Sequence, residues 1–260
     1  MNLTHGGTMI VLVAALAALL SACAPTSVAN QPGSPTPSAH TSTGATAARV
    51  SGVCTGVAHC HVVGRSDVDG DGTPDQIGWV RHKAHQIVVI RVKTAAGPVL
   101  QRRLSVKLWL GTGAWGGAAP IDGSRGAEIL VGTEMGAHTP VYTMLTYRHQ
   151  ALVVERSPLG DSTWWVDAAY NYDFAWARHT RSNGVVTMTQ KSAFRTSLHG
   201  HRFAGTDITW AWRSGHWAKR ATVKRSYPTA TAAAMMAGWR VPGLDRFPGV
   251  PPIDAPQGAR

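Results

Sequence analysis

No apolar run in this chain approaches the roughly 20 residues that a helix needs to cross a bilayer core. The longest is Met9–Leu20 (MIVLVAALAALL), twelve residues. Cysteine is scarce, at three. Acidic side chains number 14 against 25 lysines and arginines, giving a net charge of +11 and a pI near 10.2. The basic residues are scattered, as in Arg102-Arg103, Lys107, Arg178, Arg181, Lys219-Arg220 and Lys224-Arg225. No compact block forms, and nucleic acid is not an expected partner. Helical periodicity is almost absent, which excludes a helical domain. Catalytic signatures are missing too. Asp122-Gly-Ser124-Arg-Gly lacks the glycine that a nucleophile elbow carries two places before its serine, and there is neither a His-Glu-x-x-His pair nor a Ser-x-x-Lys dyad at a helix start. Gly111-Thr-Gly-Ala-Trp-Gly116 has the letters of a dinucleotide loop but not the strand–helix context. No catalytic residue is assigned.

What is present begins with the apolar run. Its length suits the core of a signal peptide, expected over residues 1–22, with small residues marking the cut. Leu20-Ser-Ala-Cys23 resembles the lipobox of bacterial lipoproteins, which implies that Cys23 is lipidated and holds the mature chain on the outer face of the cell membrane. Residues 23–48 then carry Pro25, Pro32, Pro35 and Pro37 among Ser, Thr, Ala and Gly, with no charge until Arg49. Such a composition cannot offset its ordering entropy and reads as a disordered tether. In an exported protein the two remaining cysteines, Cys54 and Cys60, most simply form one disulfide. A zinc site using His59 and His61 is disfavoured, because consecutive strand residues face opposite ways.

Residues 49–228 read as one all-β, antiparallel domain. Strand candidates are 86–93, 99–106, 127–133, 140–147, 151–155, 163–174, 184–190, 207–213 and 216–223. Asn183-Gly184 and Ser214-Gly215 predict type I′ hairpin turns. A short helix is expected within 230–237, and residues 229–260, rich in Pro, Gly and Ala, read as a peripheral tail.

The richest stretch is Asp67-Val-Asp69-Gly-Asp71-Gly-Thr73-Pro-Asp75. It places carboxylates at loop positions 1, 3, 5 and 9, with Gly72 at the sharp turn and the Thr73 carbonyl at position 7. Calcium is a hard cation that takes about six to eight oxygens, and a tight loop of short acids supplies several. A solvated acidic turn would need only its Asp-Gly steps; Asp67 and Asp75 go beyond that. Position 12 is Gly78 rather than Glu, and strands follow, so this is not an EF-hand. The segment Asp69–Asp75 aligns without gaps on Asp122–Glu128, an offset of about 53 residues that suits a repeat of several strands, as in propeller blades. The second copy has lost most of the ligand set and carries Arg125 where Gly72 stands, so one metal site is expected rather than two.

Asp67–Asp75 with its following Val/Ile strand resembles the FG-GAP or VCBS-type repeat, similar to the calcium loops of integrin α-subunit propellers. A looser likeness to short envelope lipoproteins with such repeats extends over about residues 62–155, through Ala127-Glu-Ile-Leu-Val131, Gly136, Tyr142 and Tyr147. The resemblance implies structural Ca²⁺ held by Asp67, Asp69, Asp71, Thr73 and Asp75, a partial propeller-like assembly, and a role in adhesion or ligand contact. The expected function is a non-enzymatic envelope module for a protein, a glycan or an anionic wall polymer. Trp164, Trp165, Trp210 and Trp212 are its candidate stacking residues, with core packing as the competing role in a chain that has only four Phe. The alternatives are a hydrolase of envelope or extracellular polymers, with acids among Glu134, Asp161, Asp167 and Asp173, and a purely structural protein.

Overall fold

The computed structural model describes residues 52–82, 85–95, 97–107 and 115–249. All of them fall within the unit Arg49–Arg260. The expected signal sequence, Cys23 and the tether lie outside the described residues, as do residues 111–114 of the glycine-rich loop and residues 250–260.

Three antiparallel sheets follow one another along the chain. The first takes β1 (Cys60–Ser66), β2 (Asp75–His82), β3 (Ile87–Lys93) and β4 (Val99–Ser105) in sequence order. The second takes β5 (Trp115–Ala119), β6 (Glu128–Met135), β7 (Pro140–Arg148) and β8 (Ala151–Glu155), again in order. The two-residue β9 (Trp164–Trp165) joins it against Val141 and Tyr142, beyond the part of β7 that β8 covers. The third runs β10 (Asp167–Ala168), β11 (Tyr172–Thr180), β12 (Val186–Arg195), β13 (Phe203–Arg213) and β14 (His216–Tyr227). After the short helix α1 (Ala230–Ala234), β15 (Gly238–Arg240) returns to pair in parallel with β11. Each sheet is an up-and-down meander, the form of a propeller blade. Among the described residues the sheets do not close into a barrel, and the assembly is propeller-like only in part.

One core joins the three sheets. It takes Ile77, Val88, Ile90 and Val92 from the first, Ile129, Leu130, Val131, Met144 and Leu145 from the second, and Phe174, Trp176 and Met188 from the third. On β3 burial alternates strictly, with Val88, Ile90 and Val92 inside. The centres of β2 (residues 77–80) and β6 (residues 129–131) are buried on both faces, and these are their uninterrupted apolar stretches. Each fully buried side chain of this size contributes about 1.5–3 kcal/mol. Cys54 and Cys60 are bonded and close a short loop at the start of β1.

The sequence repeat has a structural counterpart. Asp75 and Glu128 each open the second strand of their sheet, and both are buried. Each accepts the backbone N–H seven residues earlier: Val68 N to Asp75 Oδ2 at 2.8 Å, and Ile121 N to Glu128 Oε2 at 2.6 Å. Val68 and Ile121 are themselves buried. The two loops also touch. Ala127 N donates to Asp67 O at 2.7 Å, and the Gly126 Cα lies so near that an added Cβ would sit 2.3 Å from Val68 O. Only glycine fits there.

Three local expectations need correction. The span 163–174 is not one strand: it divides into β9, β10 and the start of β11, with a bend at Tyr170-Asn171. The Ser214-Gly215 turn has both residues at positive φ (48° and 80°), as type I′ requires. At Asn183-Gly184 only Gly184 does (78°), and Gly184 N donates to Arg181 O at 2.9 Å. The strands are therefore joined by a wider turn with glycine in the left-handed position. The third correction is larger. The tail is not peripheral as far as Gly249, because Ala237, Trp239 and Val241 are buried and Leu244 and Phe247 pack on the core.

Candidate functional site

The acidic loop joins β1 to β2. Its backbone is folded by its own side chains, as short Asp side chains favour in turns. Asp67 accepts from Gly70 N (2.8 Å) through Oδ1 and from Gly72 N (3.0 Å) through Oδ2. Asp69 Oδ1 accepts from Asp71 N at 3.2 Å, and Asp71 Oδ1 from Thr73 N at 2.7 Å. Gly72 adopts φ 90°, a conformation open to glycine but strained for other residues. Carboxylate oxygens of Asp67, Asp69 and Asp71 come within 4.8 Å of one another. Asp75 sits at the base, where its Oδ2 takes the Val68 and Asp69 amides. Its Oδ1 is buried without a hydrogen-bond partner. Burial raises the Asp75 pKa, the Val68 amide opposes that, and the charges of Asp69 and Asp71 push it further up. The converging donor set is all hard oxygen, and Asp75 is not one of the three acids that come together. These residues fit a calcium ion.

The second copy of the loop is arranged differently. Asp122, Glu128 and Glu155 are all buried, with carboxylate oxygens within 4.8 Å of one another. Arg148, at the end of β7, donates to Asp122 Oδ2, and its guanidinium lies 3.6 Å from Glu155 Oε2. Thr146 Oγ1 donates to Glu128 Oε1 at 3.1 Å. A guanidinium thus supplies positive charge beside the acids of this copy. One cation faces three carboxyls, and protonation makes up the difference. Burial, with Asp122 and Glu128 nearby, pushes the Glu155 pKa up to about 10 against the pull of Arg148. Burial and Asp122 raise Glu128 to about 7.

Arg148 and Glu155 also line a cleft of about 620 Å³ between the β7–β8 hairpin and the Ser214-Gly215 turn. Trp212 and Trp217 form its apolar wall, with ring centroids 5.0 Å apart and edge to face. His149, Arg156 and His216 contribute polar groups.

The tryptophans nominated from sequence separate. Trp164 is completely buried, donates from Nε1 to Glu155 O at 3.2 Å, and meets Trp176, Trp217 and Trp239 ring to ring. It belongs to the core and offers no stacking face. Trp165 stacks on Phe174 at 3.8 Å, and half-buried Trp210 packs against the core. Trp212 reaches the cleft. The four nominated acids do not gather there. Glu134 pairs with Lys107 at 3.1 Å, Asp161 is exposed, and Asp167 and Asp173 are buried in the third sheet. Sequence reading missed Arg148 and Glu155. Their one trace was the degenerate second loop, whose Asp122 and Glu128 invite the question of what offsets them. Compared with family models, with curated proteins and with solved structures, the chain matches none.

Proposed function

We propose that this chain is an exported, calcium-binding module of the cell envelope that binds a partner without altering it chemically. The observation that carries the reading is the convergence of Asp67, Asp69 and Asp71 at the β1–β2 loop, with the orphaned Asp75 oxygen at its base. Asp67, Asp69, Asp71 and Asp75, with the Thr73 carbonyl, would hold the ion, which would neutralise the like charges and fix the loop. The net charge of +11 favours an anionic partner. The likeness of the motif to FG-GAP or VCBS-type repeats supports the same reading, and lipidation of Cys23 would tether the module to the membrane.

Calcium should raise the melting temperature by about 5–10 °C at a hundredfold excess over its Kd, relative to EDTA. Asp69→Ala should abolish most of that rise. Asp122→Ala should lower the melting temperature in both buffers and keep the calcium increment. Equal melting of the wild type in calcium and in EDTA would remove the metal from the reading. For the anchor, wild type should fractionate with membranes and Cys23→Ser with the medium; identical distribution of the two would refute lipidation.

A hydrolase is the second reading, favoured by one observation. Glu155 lines the cleft and keeps its proton, as a general acid does, though both of its oxygens are covered. Among the described residues lining the cleft, however, it is the only carboxylate, whereas glycoside hydrolysis needs a pair.

A further inference from the structure

The geometry points to the cleft between the β7–β8 hairpin and the β13–β14 turn as a binding site for an acidic saccharide, one carrying carboxylate groups. The inference rests on the binding-module reading but not on calcium, since the cleft shares no residue with the β1–β2 loop.

Four observations converge on this ligand. The first is Glu155. It is 3% exposed, lines the cleft, and neither carboxyl oxygen makes a hydrogen bond, Oε2 lying 3.6 Å from the Arg148 guanidinium. Buried polar groups of native proteins are ordinarily satisfied, and one left unmade costs about 1–3 kcal/mol. Both oxygens are themselves covered, so the side chain must turn toward the cleft for a ligand hydroxyl to satisfy it. The second is the wall. Trp212 and Trp217 are partly exposed, and Trp217 is braced from behind by Trp164 at 6.2 Å. A rigid indole costs little entropy to present, and the C–H face of a pyranose ring is the apolar surface that stacks on it. A wholly apolar ligand would use the indoles and leave Glu155 unsatisfied. A sugar uses both.

The third observation is charge. Arg148 and Arg156 line the cleft beside its single carboxyl, and Glu155 holds its proton to about pH 10. Arg148 is already engaged by Asp122, so it is the guanidinium of Arg156, beside a Glu155 that is uncharged at neutral pH, that attracts a carboxylate and repels a cationic ligand. Arg156 is held in place through Nη1, which donates to Gly160 O at 2.8 Å. Guanidinium and carboxylate match each other in shape as well as in charge. The fourth is size. About 620 Å³ lies within the range of roughly 300–1,000 Å³ typical of small-molecule sites.

The test is calorimetric titration of the folded protein, in buffer of fixed calcium concentration, with tetraglucuronate and with the same tetrasaccharide after reduction of its carboxyls to alcohols. The expected result is one site per chain for tetraglucuronate and about tenfold weaker binding of the reduced form. Trp212→Ala and Arg156→Ala should each weaken tetraglucuronate binding by about tenfold or more, with the melting temperature of each variant confirming that it is folded. No heat of binding up to millimolar tetraglucuronate would overturn the inference. So would equal affinity for the two saccharides, or binding indifferent to both substitutions. Calcium dependence of melting is read on the same samples. A cleft that binds nothing in a protein still stabilised by calcium defeats this inference alone, and a saccharide-binding protein indifferent to calcium defeats only the metal.

Discussion

Arg148→Met should destabilise the domain by about 3–5 kcal/mol at pH 8, the scale of stranding buried charge after its partner is removed. The loss should be smaller at pH 5. Asp122, Glu128 and Glu155 share this one guanidinium, and Asp122 and Glu155 touch it directly. Without it, carboxyls that ionise have no cation, and those that cannot must hold protons against the solvent. The sign follows from linkage. In the folded protein Glu128 is raised from 4.5 to about 7 and Glu155 from 4.5 to about 10, so between these values the folded state binds more protons than the unfolded one. The stability these two groups confer is therefore full below pH 4.5. It declines as pH rises, through about 7 for Glu128 and about 10 for Glu155. Removing Arg148 takes away the positive charge that holds both values down, which steepens the decline. Urea unfolding at pH 5 and pH 8, in EDTA to exclude metal, measures it. A variant whose midpoint matches wild type at pH 8 would show that the guanidinium does not compensate the acids.

Trp239→Ala should cost about 3–5 kcal/mol, and a chain ending at Met236 should lose its cooperative transition. Trp239 is 1% exposed and lies edge-on to Tyr142 at 5.8 Å, with the tilted ring of Trp164 at 5.9 Å. The segment around it is closed on itself by one bond and tied to β7 by another. Trp239 N donates to Arg246 O at 2.8 Å, and Tyr142 Oη donates to Pro248 O at 2.9 Å. Deletion would therefore open the second and third sheets at their shared aromatic centre. Urea titration of both variants gives the answer, and midpoints near that of wild type would mean that the tail is peripheral after all.

That tail shows where sequence reading stops. Alternation and β-branched residues reveal a strand that pairs with its neighbour in the chain, which is why β3, β4, β7, β8 and the β13–β14 hairpin were legible. Gly238-Trp-Arg240 has three residues, sits among Pro and Gly, and pairs in parallel with β11, more than 60 positions earlier. Nothing local marks it. Trp115-Gly-Gly-Ala-Ala119 was missed for another reason: its glycines and alanines have low strand propensity, and close packing replaces side-chain bulk. A Cβ on Gly116 would lie 2.7 Å from Leu130 O. The acidic loop was legible because all its carboxylates lie within nine residues. The cleft was not. Glu155, Arg148 and Trp212 come from three strands on two sheets, and only folding puts them together.

The contact between the two loops has a further consequence. The copy built on Arg148 carries its positive charge within the chain, so its shape is set whenever the protein is folded. Through the Ala127 amide on Asp67 O and the close approach of Gly126 to Val68, that copy braces the backbone of the other. An ion arriving at Asp67, Asp69 and Asp71 would meet a frame already drawn, and little ordering would remain for it to do. Its affinity would then be governed by the mutual repulsion of three aspartates. One loop thus carries its own cation and would serve as a mould for the one proposed to take an ion.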